Sequence, residues 1–252
     1  MPVQVTILLA PEYSWLAASL LSEPWRVANR LAEGVVMEWR ITSWTGAPVP
    51  ASNGLELPLA GPAAGAWEQP DMVVVIAGER AEAAAPQALL DWLRRLHRSG
   101  VMIAGVDTGP EILALAGLLN RHDTAMHHEA IPLFREKHLG LGLSYGLYSI
   151  DAGLATCAGG IATLDFSLAL LARMGGTALA EQTAAALIYG RRPPEMENLP
   201  ENTKGDWLDP RLARAVRHLS SIRLQRESGV KGAARAAALS ERQLARLFQQ
   251  LL

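Results

Sequence analysis

The stretch Gly105-Val106-Asp107-Thr108-Gly109 has the spacing of a nucleophile elbow, with a carboxylate in the central slot. It lies where an apolar run, Val101–Val106, meets a helical stretch opened by Pro110. In such an elbow the glycines permit a tight turn and close approach to the backbone. The central side chain then points into a cleft at the carboxyl edge of a sheet, where α/β folds bind ligands. A carboxylate there suits pairing with a cationic ligand. With a histidine in reach it also suits covalent nucleophilic chemistry. A purely structural reading stands beside both: Asp107 or Thr108 caps the helix, with Pro110 in its first turn and Glu111 near its positive end. Glu12, Glu79 and His127 are the other polar residues expected around the same cleft. Trp15 joins them because half of the aromatic residues are Trp, the best ring for a quaternary ammonium. Core packing is the competing role for any single Trp, and Glu79, just after Gly78, equally suits capping the next segment.

The elements that must position these residues alternate along the first half of the chain. Val3–Ala10 is an apolar strand and Ser14–Leu31 a helix. Glu38–Trp44 alternates like a half-buried strand, and Gly46–Leu59 reads as a hairpin turning at Asn53-Gly54. Met72–Ile76 is a continuous apolar run, as a parallel strand covered on both faces requires. Pro86–Ser99 and Pro110–Leu119 read as helices around the strand Val101–Val106. This order implies a parallel-rich sheet with helices on both faces. Leu147–Gly160 reads as a strand pair broken at Asp151-Ala152-Gly153, followed by helices Ile161–Met174 and Thr177–Tyr189. Arg191–Asp206, rich in proline and polar residues, reads as a linker. Helical pieces follow at Pro210–Arg226, Lys231–Ala238 and Glu241–Leu252.

The 252 residues carry a net charge of −2, which hides an asymmetry. Trp207–Leu252 holds nine Lys/Arg against three acids, so it carries +6 and the residues before it −8. An acidic body with a basic end is expected where that end meets a polyanion. The single cysteine, Cys157, excludes a disulfide framework and any multi-cysteine metal site. It falls on a strand among small residues, a core position. The opening residues read as a strand rather than a signal peptide, and no apolar run is long enough to span a membrane, so a cytoplasmic location is expected.

Within the basic end, Ala233–Leu252 fits a helix-turn-helix. Ser240-Glu241-Arg242-Gln243 forms a capping box that opens the second helix. Leu244, Leu247, Phe248 and Leu251 make its apolar stripe, and Ser240, Arg242, Gln243, Arg246 and Gln249 are the residues expected to reach phosphates and base edges. A hairpin used only for dimerization is the alternative.

The run from Gly105 to Leu119, followed by His127-His128-Glu129, resembles the elbow region of the class I glutamine amidotransferase-like superfamily, which includes PfpI-type proteases. Its enzymes carry Cys at the elbow and a downstream His; here Asp107 replaces the Cys and His127 matches the His. A carboxylate cannot do thiolate chemistry, so the resemblance implies a non-catalytic domain. Glu23-Pro24-Trp25-Arg26-Val27-Ala28-Asn29, Ala114–Leu119, Thr156-Cys157-Ala158-Gly159-Gly160 and Leu164-Asp165 resemble a narrower group, the AraC-type transcription regulators with an amidotransferase-like amino-terminal domain. In one departure, Ala125-Met126-His127-His128-Glu129 stands where the group has Thr-x-His-Trp-Glu, so His128 replaces an aromatic. The string from Ser240 to Phe248 resembles the first recognition helix of AraC-type domains, which carry two helix-turn-helix units. With the chain ending at Leu252, DNA binding is expected to be weak or lost.

The resemblance implies a flavodoxin-like, amidotransferase-like α/β sensor over residues 1–190, a linker over 191–206 and a small all-α partial helix-turn-helix over 207–252. It implies a homodimer that senses a small metabolite, such as an amino acid or a betaine- or carnitine-like amine, without cofactor, metal or membrane. The competing functions are a hydrolase with Asp107 as nucleophile and a stand-alone sensor that dimerizes without binding DNA.

Overall fold

A computed structural model of the chain describes residues 1–32, 34–120, 122–151, 153–192 and 229–251, the last four of these by backbone alone. Most of the expected linker and the helix expected at Pro210–Arg226 lie outside the described residues. The chain divides into two compact units, Met1–Asn198 and Leu199–Leu252.

The first unit is built on six strands. They are β1 (Val3–Leu9), β2 (Met37–Thr42), β3 (Met72–Ala77), β4 (Met102–Asp107), β7 (Tyr148–Ile150) and β8 (Leu154–Cys157), in the order β2-β1-β3-β4-β8-β7. All pairings are parallel except that of β7 with β8 at the edge. Two short strands, β5 (Asp123–Ala125) and β6 (Gly142–Ser144), pair separately.

β3 is buried at every position, and its side chains divide by parity. Val74 and Ile76 join the cluster containing Trp25, Phe166 and Leu170, whereas Val73 and Val75 join Leu89, Leu93 and Ile112. That two-sided burial explains the unbroken apolar run in the sequence. Helices α1 (Trp15–Leu31), α5 (Ala162–Gly175) and α6 (Thr177–Ala186) contribute to one face. Helices α2 (Gln87–Arg98), α3 (Gly109–Leu115) and α4 (Ile131–Lys137) contribute to the other.

Two expectations are corrected. The hairpin at Gly46–Leu59 reduces to one antiparallel bridge, Pro50 to Glu56, with Gly54 at φ +81°. Pro48, Pro50 and Pro58 remove the amide donors a ladder needs. Helix α3 stops at Leu115 rather than Leu119, because Gly117 turns left-handed (φ +71°) and the Leu118 amide closes the end onto the Leu113 carbonyl at 3.0 Å. Helix α4 and the β5–β6 pair had no counterpart in the sequence reading.

In the second unit, helices Gly229–Ala236 and Glu241–Leu251 meet across a turn at Ala238. Leu244 is buried against Ala233, Ala234 and Ala237, with Leu239 and Leu247 packed around them.

Candidate functional site

The reversal of strand order between β1 and β3 brings the carboxyl ends of β1, β3, β4 and β8 together along one edge, the usual ligand position in open α/β sheets. Two non-glycine residues on this edge hold left-handed backbones: Glu12 after β1 (φ +62°) and Asp107 at the end of β4 (φ +66°). Such strain costs on the order of 1–3 kcal/mol and concentrates at functional sites.

The elbow is made by close packing. A Cβ at Gly109 would lie 2.3 Å from the Val75 carbonyl oxygen, so only glycine lets α3 start against β3. On the opposite side Gly159 abuts the aspartate: a Cβ there would lie 2.9 Å from the Asp107 Cα and Cβ. Thr108 occupies the cap position of α3 without capping it. Its hydroxyl instead donates to the Gly78 carbonyl, tying the elbow to the loop after β3. The capping role weighed for Asp107 and Thr108 is therefore not made by either side chain.

Burial pushes the Asp107 carboxyl up to about 7, with repulsion from Glu129 adding to the effect. His127 lies next to it, but the hydrogen bond joining them runs from the His127 amide to the Asp107 carbonyl, at 3.1 Å. The His127 ring packs on His128 with centroids 4.7 Å apart, and its Nδ1 lies 3.7 Å from Glu129 Oε2. Burial and the neighbouring His127 both lower the His128 pKa. A nucleophile with its general base needs a side-chain hydrogen bond between them, and this contact is between backbones. Cys157 supplies no replacement: it is fully buried, and burial pushes its thiol up to about 12.

Beside the elbow an open cleft of about 460 Å³ lies between the loop after β3, α3 and α4. Thr108 and Glu79 line it. Glu12 reaches its rim indirectly, through a two-point ion pair with Arg80 that holds the Glu12 carboxyl below its ordinary range. Trp15 is not part of this group: it sits at the start of α1 and packs on the cluster around Trp25. Glu79 caps no helix, because the turn Glu82–Ala84 has no side-chain cap.

Several polar residues have partners that sequence spacing did not reveal. Glu111 is buried in the first turn of α3 and lines the cleft; its Oε1 lies 2.9 Å from His138 Nε2 and 3.9 Å from Lys137 Nζ. His122 is buried between Asp151 (2.6 Å) and Thr156 (2.9 Å). That row has the order of an acid, a base and a hydroxyl nucleophile, yet Thr156 has no exposed surface and its oxygen accepts the Ala125 amide at 2.9 Å. Its role is to tie β5 to β8. Spacings of 29 and 34 residues between these groups leave no local signature.

Asp165, fully buried in α5, accepts three hydrogen bonds from the end of the same unit: the Tyr189 hydroxyl (2.7 Å), the Arg192 amide (2.8 Å) and Arg192 Nε (2.9 Å). Among the described residues no group of His, Cys, Asp and Glu could hold a metal ion, and no helix is long and apolar enough to cross a membrane.

In the second unit the capping box is formed. The Ser240 hydroxyl accepts the Gln243 amide at 3.2 Å, and Gln243 Oε1 accepts the Ser240 amide at 2.9 Å. Gln243 thus commits its side-chain oxygen to the helix start. Arg242 and Arg246 are exposed, and the Gln249 side chain lies outside the described residues.

No protein-family model matches the chain. Among curated proteins it is 38% identical over 191 residues to the HTH-type transcriptional regulator CdhR of Pseudomonas aeruginosa, a match covering 76% of this chain and 56% of that one. It is 31% identical over 258 residues to the HTH-type transcriptional regulator ArgR of the same species, covering all of this chain and 75% of that one. The chain thus spans little more than half the length of the first relative. Among solved structures, an AraC family transcriptional regulator from Pseudomonas putida superposes with a TM-score of 0.65 at 24% identity, over 74% of this chain and all of that one. A ThiJ/PfpI family protein from Pseudomonas syringae gives a TM-score of 0.65 at 19% identity, over 81% and 84% of the two chains. These likenesses place the first unit in the flavodoxin-like, amidotransferase-like fold.

Proposed function

Because the chain belongs to the AraC-type helix-turn-helix transcription regulators with an amidotransferase-like domain, we propose that it is a ligand-responsive regulator. In this reading residues 1–190 sense a small metabolite without chemical turnover, 191–206 link, and 207–252 face DNA. The effector in this reading is an amino acid or an amine, bound at the carboxyl edge of the sheet by Asp107, Thr108, His127, Glu79 and Glu12. The observation that carries the reading is the elbow itself. A carboxylate occupies the nucleophile position, is half-protonated near pH 7, and is wedged behind Gly159 without a side-chain base.

DNA contact is assigned to Ser240, Arg242, Gln243, Arg246 and Gln249. Exposure of Arg242 and Arg246 opposite the buried Leu244 supports it, because a recognition helix must bury one face and offer the other. Gln243 contributes through its amide nitrogen, its oxygen being taken. The reading also includes a cytoplasmic homodimer that needs no cofactor.

A metabolite screen by thermal shift tests the sensing half, since a ligand bound by the folded state raises its melting temperature by mass action. Titration of a generic duplex at several salt concentrations tests the DNA half. Each of Arg242→Ala and Arg246→Ala is expected to reduce the slope of log K against log salt by about 1. Slopes unchanged in both variants would remove these arginines from the interface.

A further inference from the structure

The cleft beside the elbow carries a charge pattern and a wall chemistry that narrow what it can hold. Three carboxylates line it, Glu79, Glu82 and Glu111, with two cations, Arg80 and Lys137. Arg80 is committed to Glu12, which is not part of the lining. Lys137 bonds Glu82 and lies 3.9 Å from Glu111, His138 Nε2 lies 2.9 Å from Glu111, and Arg80 also interacts with Glu79, so with Glu12 four carboxylates face three basic groups. The cleft holds a net negative field that a positively charged guest relieves. Its walls are apolar, formed by Met126, Leu133 and Phe134, so the guest carries its charge on an apolar stem.

The kind of cation follows from the partners it would meet. Both ion contacts of the Glu111 carboxylate fall on Oε1, leaving Oε2 as an acceptor. The Thr108 hydroxyl spends its proton on the Gly78 carbonyl and can offer only lone pairs to the cleft. Glu79 is exposed at the mouth and likewise only accepts. A quaternary ammonium has no proton for these oxygens and is held instead by open aromatic faces. Phe134 is the ring among the lining residues, and the His138 ring lies against it at 4.6 Å.

We propose that this cleft takes the cationic end of a primary ammonium or guanidinium ligand with an apolar stem, recognised by Glu79, Glu111 and Thr108. The inference rests on the ligand-sensing reading above and names its ligand class and seat.

The test is isothermal titration of the whole chain with n-butylamine, n-hexylamine and agmatine, and with butyltrimethylammonium and hexyltrimethylammonium as stem-matched partners. The expected result is binding of the protonated amines or agmatine at least tenfold tighter than of their trimethylated counterparts. Glu79→Gln, an exposed loop change, and Glu111→Gln should each weaken that binding at least tenfold, while Glu181→Gln, an exposed change on α6 at the other face of the sheet, changes it less than threefold. Equal or tighter binding of the trimethylated compounds overturns the proposal and leaves the sensor reading standing. So does an unchanged affinity in both Glu79→Gln and Glu111→Gln. Failure of both series, together with no thermal shift from any metabolite class, overturns the sensor reading as well.

Discussion

Asp107→Asn should stabilise the protein at pH 8 and leave it nearly unchanged at pH 4. The folded chain holds this carboxyl at about 7 against an ordinary value of 3.8. Below about pH 4 the group is protonated in both folded and unfolded chains, and its protonation costs nothing. Between about pH 4 and 7 the unfolded chain releases a proton that the folded chain keeps. Stability therefore falls by about 1.4 kcal/mol per pH unit across that window and levels off above it. An interval of about three pH units gives an upper bound of about 4 kcal/mol, and some solvation of the carboxylate lowers this to about 2–4 kcal/mol. Asparagine keeps the shape of the neutral acid and tolerates the left-handed backbone. The variant's stability should therefore lack the contribution of this group to the pH dependence. Urea denaturation of both proteins at pH 4, 5, 6, 7 and 8 reads the difference, which cancels the titration of every other group. A variant advantage that is flat across the series, or largest at low pH, refutes the argument that a buried carboxyl sits uncompensated at the elbow.

Gly159→Ala places a methyl 2.9 Å from the Asp107 Cα at a backbone with φ +82°. It should cost about 1–3 kcal/mol in urea melts and displace the elbow. Asp165→Asn removes the charge that gathers Tyr189 and Arg192. A loss of about 2–3 kcal/mol is expected, with faster hydrogen exchange at the Arg192 amide. In the second unit, Ala238→Gly relieves a left-handed alanine (φ +55°). Slower exchange in the helix Glu241–Leu251, equivalent to about 0.5–1 kcal/mol, should follow.

Strands buried on both faces were legible because a continuous apolar, mostly β-branched run such as Met72–Ile76 has few other uses. The elbow was legible because its glycines and its central residue are adjacent in sequence. The capping box at Ser240 and Gln243 was legible for the same reason. The rest of the cleft was not, because Glu82, Glu111 and Lys137 come from separate elements that meet only in the folded chain. Helix α4 itself spans Ile131–Lys137, too short for a periodicity to emerge. The partners of His122 and Asp165 were hidden for a related reason: a buried polar group finds them through the fold, not through spacing. Trp15, near the edge in sequence, instead starts α1 and packs half-buried on the cluster around Trp25.

Whether the elbow binds or reacts is the point on which everything else turns. Proton NMR of the strongest thermal-shift ligand, in large excess over the protein, follows both events in one sample. The account predicts broadened or transferred ligand signals with the compound unchanged after many hours. A product that accumulates past one equivalent, and disappears in Asp107→Asn, would contradict it.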